Sequence, residues 1–218
     1  MVYYLGYQTV GEYKVNIRNL DGDPLKVEIA DTTPDDGLYP TIGSTYSATS
    51  GRPIKTEFVP TKIEWQDSQP VPDVDQPFGM LSVPDKFKDI VEQIEPGVHQ
   101  FLPVEFVDVD GSHLASRWFF IVCKRIDSVD REHSSMILTD KGLWRSAKQL
   151  LRRNPEQIPP DFDVSAEPKL VFNLSQIGGA HAWCDKFLLH GWLISDQLAE
   201  ALMRAELSGI SLSKTESV

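Results

Sequence analysis

GVHQFLPVEFVDVDGSHLASRWFFIVCKRIDSVD, residues 97–130, contains the clearest structural pattern of the sequence. Residues 101–107 and 118–123 are largely apolar, and the Asp110-Gly111 pair between them is typical of a β-hairpin turn. Every position from 118 to 123 is apolar, which indicates a strand that is covered on both faces. We therefore predict that this hairpin forms the centre of a β-sheet.

The composition is that of a globular protein with an excess of acidic residues. The chain has 218 residues, of which 41% are hydrophobic and 24% are charged, and its net charge is -11 at pH 7. This charge argues against binding to nucleic acid or to anionic lipid, because both require a basic protein surface. It favours a partner protein that is itself basic, since complementary charges accelerate association.

Cysteine content and hydropathy bear on the location of the protein. Two cysteines, Cys123 and Cys184, are too few for a disulfide-stabilised secreted scaffold. The first residues contain no basic region followed by an apolar core, and no apolar run reaches the ~18 residues of a membrane span. We therefore predict a cytoplasmic protein.

Composition also divides the chain into three parts. Residues 1–66 are predicted to form a β-rich N-terminal subdomain, residues 67–78 a Pro/Asp-rich linker, and residues 79–218 an α+β domain.

Two features of residues 1–66 predict strands. Residues 13–17 and 25–29 alternate apolar with polar side chains around an Asp-Gly turn, and we predict that they pair as a hairpin. Residues 56–65 are predicted as a further strand, which Pro60 places at a sheet edge or at a break.

Three helices are predicted in the remainder of the chain. Ser82 is the candidate N-cap of the first, which has an apolar stripe at helical spacing through residues 87–94. Asp140 is the candidate cap of a helix over residues 143–151. Ser195 is the candidate cap of the last, and Gly209 follows its end.

The end of the chain completes the predicted fold. Residues 210–212 are predicted as a short strand and residues 213–218 as a fraying terminus. The fold class that these elements predict is α+β, with a mixed or antiparallel sheet, about three short helices and a β-rich N-terminal part.

Two groups of residues are candidates for chemistry, and neither has a complete pattern. His181, Cys184 and His190 are possible zinc ligands in a metal-dependent or small-molecule hydrolase, but a fourth ligand is missing unless Asp185 serves. Asp110, Ser112 and His113 share the hairpin tip, where no nucleophile elbow is present. We therefore predict that the protein is not an enzyme and has no catalytic, cofactor-binding or metal site.

Short motifs spread over residues 75–213 resemble the Imm11-type immunity proteins of bacterial polymorphic toxin systems. The motifs are residues 80–87, 98–104, 108–111, 118–122, 125–130, 187–191, 194–198 and 209–210. The resemblance implies a cytoplasmic antidote that binds a toxin domain delivered by a contact-dependent or type VI secretion route. It implies no catalytic residue and no cofactor. A protein-interaction scaffold or adaptor is left open as an alternative, as is a homodimer.

The distribution of charge suggests where a toxin would bind. Residues 1–96 contain 16 acidic against 8 basic residues, whereas residues 97–218 contain 16 against 13. An acidic surface would fit the basic cleft of a toxin such as a nuclease. The predicted toxin-binding residues are Asp31, Asp35, Asp36, Asp67, Asp73 and Asp75.

Overall fold

The computed structural model describes residues 1–8, 16–37, 43–189 and 191–218. The strands in these ranges are β1 (Val2–Tyr7), β2 (Ile17–Asn19), β3 (Lys62–Trp65), β4 (Leu81–Val83), β5 (Gln100–Val107), β6 (His113–Ile121), β7 (Arg125–Ile126), β8 (Ile137–Leu138), β9 (Trp144–Arg145), β10 (Val171–Phe172), β11 (Ala182–Asp185), β12 (Trp192–Ser195) and β13 (Ile210–Ser217). The helices are α1 (Ser44–Ser47), α2 (Asp85–Ile94), α3 (Ala147–Arg153), α4 (Leu174–Ile177) and α5 (Asp196–Arg204). The fold class is α+β with mixed sheets, as predicted, and the four-residue helices α1 and α4 add to the three predicted ones.

The predicted hairpin lies at the centre of a five-stranded sheet of order β2-β3-β5-β6-β4. β5 and β6 pair antiparallel, from Gln100 opposite Ile121 to Val107 opposite His113. β6 begins earlier than the predicted residue 118, because the turn closes tightly and the Asp108 amide donates to the Ser112 carbonyl at 2.8 Å. The prediction of a central hairpin is confirmed.

Alternate side chains of β6 enter two different cores. Phe120 lies in a core shared with α2, α5 and the six-stranded sheet β10-β13-β1-β12-β11-β7. Phe119 and Ile121 lie in a second cluster on the opposite face, where they pack with Val27 and Ile54. All three β6 side chains are fully buried, so the strand is covered on both faces as predicted.

The predicted hairpin between residues 13–17 and 25–29 is wrong. Residues 9–15 lie outside the described part of the chain. Ile17–Asn19 pairs antiparallel with β3, and Pro24–Lys26 forms a 3-10 turn.

Tertiary hydrogen bonds explain this pairing. The Asp21 carboxylate accepts from the amides of Thr61 and Lys62 at 2.8 and 3.0 Å, which holds the end of β2 beside β3. β3 in turn lies between β2 and β5, so it is neither an edge strand nor broken. Pro60 precedes the strand, and Ile63 within it is fully buried.

Two of the three predicted helices begin at a residue other than the predicted one. Ser82 belongs to β4, where it pairs with Phe119, and Pro84 occupies the N-cap position of α2. Asp140 does not cap α3, because Ser146 does so in a capping box with Gln149. The S-x-x-Q pattern of that box is present in the sequence and predicts the correct start.

The C-terminal region contains one confirmed prediction and one error. The Ser195 hydroxyl caps α5 by accepting from the Leu198 amide at 3.2 Å, as predicted. The predicted fraying of residues 213–218 is wrong, because β13 pairs with β1 as far as Thr215, which lies opposite Val2, and its last two residues pair with β10.

Strands from residues 1–66 join both larger sheets. β1 lies between β12 and β13, while β2 and β3 extend the sheet of the central hairpin. Between them, Val74 of the Pro/Asp-rich segment is fully buried, and its amide donates to the Ser208 carbonyl at 3.0 Å. The proposed division of the chain at residues 67–78 therefore rests on composition alone.

Gly209 allows this close approach of the segment to the start of β13. Its φ is +76°, and a Cβ built on it would lie 2.2 Å from the Val74 carbonyl oxygen.

We expect Gly209→Ala to lower the free energy of unfolding by about 3 kcal/mol, as measured by urea denaturation, because strain at φ and a backbone clash add together. Gly97→Ala is the matched control: φ is +68° but no atom lies within 4 Å, so we expect a loss of about 1 kcal/mol. Equal losses in the two variants would contradict the close approach.

Candidate functional site

The first three predicted binding residues lie on one loop, and Asp35 is its structural anchor. The Asp35 carboxylate accepts from Arg125 at 2.8 Å and from Arg52 at 3.0 Å. Partial burial works against the charge of Asp35, but hydrogen bonds from Arg125, the Gly37 amide and Arg52 outweigh it and lower the pKa to about 2. Only 21% of the side chain is exposed, so Asp35 holds the loop rather than facing solvent.

Asp31 and Asp36 present carboxylates on the outside of the same loop. Their side chains are 58% and 67% exposed. A hydrogen bond from Thr33 lowers the pKa of Asp31, and one from Lys186 lowers the pKa of Asp36. The cations that they pair with, Arg52 and Lys186, are largely buried, but the carboxylates themselves are open to solvent and a partner protein can reach them.

The other three predicted residues lie on the segment 67–75. The Asp73 carboxylate accepts from the amide and hydroxyl of Ser208 at 2.9 and 2.8 Å. Burial raises the pKa of Asp75, which forms an antiparallel bridge with Ser82. Asp67 is half-exposed and accepts from the Gln69 amide at 3.0 Å. Asp73 and Asp75 therefore fix the segment in place, whereas the hydrogen bond of Asp67 stays within the segment.

Of the hydrolase candidates, the two that the structure describes, His181 and Cys184, face different surroundings. His181 Nδ1 lies 2.8 Å from the Ser195 hydroxyl, whereas the Cys184 thiol belongs to the core shared by the two sheets. Burial raises the pKa of Cys184 to about 12, which keeps the thiol protonated. His190 lies outside the described residues, and within those residues no three His, Cys, Asp or Glu side chains are placed to hold a metal ion.

The hairpin-tip residues form local turn contacts instead of a catalytic set. The Asp110 carboxylate accepts from the Ser112 amide at 2.8 Å, and His113 Nε2 lies 3.0 Å from the Ser116 hydroxyl. Between Asp108 and Asp110, the side chain of Val109 is 65% exposed at the apex of the turn.

A buried carboxylate, Glu95, joins α2 to both larger sheets. It accepts from His99 Nε2 at 2.9 Å, from Lys124 Nζ at 2.5 Å and from the Ala182 amide at 2.8 Å. The other ring nitrogen of His99 accepts from the Cys123 amide, so Nε2 carries the proton that Glu95 receives. Burial works to raise the pKa of Glu95, but these hydrogen bonds outweigh it and lower the pKa to about 2. The side chain is 5% exposed, which assigns the cluster to stability rather than to binding.

A basic cavity lies beside α3. Its volume is about 570 Å³. Its cationic lining residues are Lys141, Arg145, Lys148, Arg152 and Arg153. The predictions made from the sequence do not include this cavity. The spacing of Lys148 and Arg152, at i and i+4 of α3, was the available signal for one cationic face.

Comparison with known protein families identifies a match over most of the chain. A family model described as an immunity protein family, Imm11, matches residues 7–217. It confirms the resemblance inferred from residues 75–213 and extends it to most of the N-terminal part. No curated protein matches the sequence. Within the described residues, none of the helices has the length and apolar content needed to cross a membrane.

Proposed function

Because the chain belongs to the Imm11 family of immunity proteins, we propose that it binds a cognate toxin domain and neutralises it without doing chemistry. The observation that carries this proposal is the extent of the match, which includes the acidic N-terminal part as well as the central hairpin. The toxin would reach the cytoplasm by a contact-dependent or type VI secretion route and meet the protein there.

We place the contact with the toxin on the exposed residues Asp31 and Asp36 and on the half-exposed residue Asp67. Three other residues hold the two segments that carry them: Asp35 through Arg52 and Arg125, Asp73 through Ser208, and Asp75 through its backbone bridge with Ser82. An acidic surface of this kind complements a basic active-site cleft, such as that of a nuclease, and would occlude it. Electrostatic attraction between the two surfaces would also raise the association rate.

Co-expression tests the proposal directly. The protein is produced together with the product of the neighbouring toxin gene, in cells that this product kills when expressed alone. We expect survival and a stable complex on purification. Cell death without complex formation would exclude neutralisation of that toxin, and complex formation without survival would identify an adaptor.

Charge reversal tests the acidic contact. We expect Asp31→Lys, Asp36→Lys and Asp67→Lys together to weaken toxin binding by about ten- to a hundredfold, mainly through a slower association rate. Surface plasmon resonance at low and high salt measures both rates. Asp73 and Asp75 are left unchanged, because reversal there would also disturb the fold.

A matched variant controls for net charge. Glu132→Lys, Asp161→Lys and Glu167→Lys change the net charge of the protein by the same amount at exposed positions elsewhere. We expect this variant to bind within about twofold of the unmodified protein. Equal weakening in the two variants would mean that overall charge, and not this surface, governs association. Unchanged affinity in the first variant would refute the acidic contact while leaving neutralisation itself intact.

A further inference from the structure

We propose that the basic cavity beside α3 binds an acidic segment of a protein partner. Five cationic side chains line a volume of about 570 Å³ in a protein whose net charge is -11. This surface has the opposite sign to the proposed toxin contact, and the inference does not depend on that contact.

Within the described part of the chain, no carboxylate pairs with the cations of the cavity. Among the residues that the structure describes, Lys141, Arg145, Lys148, Arg152 and Arg153 form no ion pair with a carboxylate. Lys148 and Arg152 are four residues apart on one helix face, where like charges repel and destabilise a helix. A bound anion relieves this repulsion and accepts hydrogen bonds from the lysine and arginine side chains.

The shape and lining of the cavity favour a short acidic peptide over nucleic acid. The cavity also contains Leu143 and Leu150, which suit apolar side chains next to carboxylates. No aromatic side chain of the described chain lines it, so it offers no platform on which a base could stack. The net charge of -11 opposes the binding of a long polyanion that extends beyond the cavity.

The test measures binding of two polyanions by fluorescence anisotropy at low salt. The first probe is a fluorescein-labelled oligoglutamate, and the second is an oligothymidylate that carries the same number of charges. We expect saturable binding of the oligoglutamate that weakens as salt is added, and weaker binding of the oligothymidylate. Lys148→Glu with Arg152→Glu should weaken oligoglutamate binding by about tenfold or more. Both positions are exposed, so we expect the variant to fold.

Lys214→Glu with Arg204→Glu is the matched control, since it reverses one exposed lysine and one exposed arginine away from the cavity. We expect it to bind oligoglutamate within about twofold of the unmodified protein. Equal weakening in both variants, or no saturable binding of oligoglutamate, would overturn the proposal. Tighter binding of oligothymidylate than of oligoglutamate would overturn it in favour of a nucleic-acid site. Each outcome is independent of whether the protein neutralises a toxin in cells.

Discussion

Replacement of Phe120 with alanine is expected to lower the free energy of unfolding by about 3–5 kcal/mol. Phe120 is fully buried in the core that joins the five-stranded sheet to the six-stranded sheet. Its ring meets Phe87 edge-on at 5.3 Å between centroids and stacks on Phe101 at 5.1 Å. The substitution removes these contacts and leaves a cavity where residues from both sheets and both longer helices meet. Urea denaturation followed by tryptophan fluorescence measures the loss.

Two further variants make this prediction decisive. Leu114 lies on the same strand but is 42% exposed. We therefore expect Leu114→Ala to lower the free energy of unfolding by less than about 1 kcal/mol. Phe120→Leu keeps most of the volume and should remain folded if the alanine variant does not, with a loss of about 1–2 kcal/mol. A loss of under about 1 kcal/mol for Phe120→Ala would contradict a core shared by the two sheets.

The elements that the sequence predicts correctly are those decided by neighbouring residues. The central hairpin depends on two apolar runs and one Asp-Gly turn, and α5 depends on the Ser195 cap and its apolar stripe. The errors in strand pairing involve distant residues. β2 pairs with β3 because Asp21 bonds the amides of Thr61 and Lys62, and no local pattern near Asp21 indicates that partner. β13 is ordered because β1, at the other end of the chain, supplies its hydrogen bonds.

The environment of the candidate binding residues also depends on distant parts of the chain. Composition identifies six acidic residues, but it does not distinguish Asp36, which is exposed, from Asp35, which bonds Arg125 ninety positions away. Which carboxylates are available to a partner is a tertiary property. The cations of α3 are different, because helical spacing alone places Lys148 and Arg152 on one face, and the sequence therefore contained that information.

Glu95 occupies a position in the sequence that is unfavourable for a carboxylate. A carboxylate at the C-terminal end of a helix lies at the negative end of the helix dipole, which is unfavourable. Hydrogen bonds from His99, Lys124 and the Ala182 amide offset this unfavourable interaction with the helix dipole.

Glu95→Gln is therefore expected to lower the free energy of unfolding by about 3 kcal/mol at neutral pH. The neutral amide cannot accept from all three donors, and it leaves the charge of Lys124 without its partner. Asp89→Asn is the matched control on the same helix, at an exposed position, where we expect a change below about 0.5 kcal/mol. Urea denaturation over a series of pH values measures both variants against the unmodified protein.

The pH dependence of stability shows whether Glu95 stabilises the fold through its charge or through its packing alone. Its pKa is about 2 in the folded protein against an ordinary value of 4.5, so the folded state binds the proton less tightly than the unfolded chain does. The stabilisation is therefore fully present above pH 4.5 and is lost as the pH falls toward 2. We expect the difference in stability between the unmodified protein and Glu95→Gln to shrink over this interval. A difference that stays constant from neutral pH to acid would mean that the variant disturbs packing alone, and that the carboxylate is not held ionised between the two sheets.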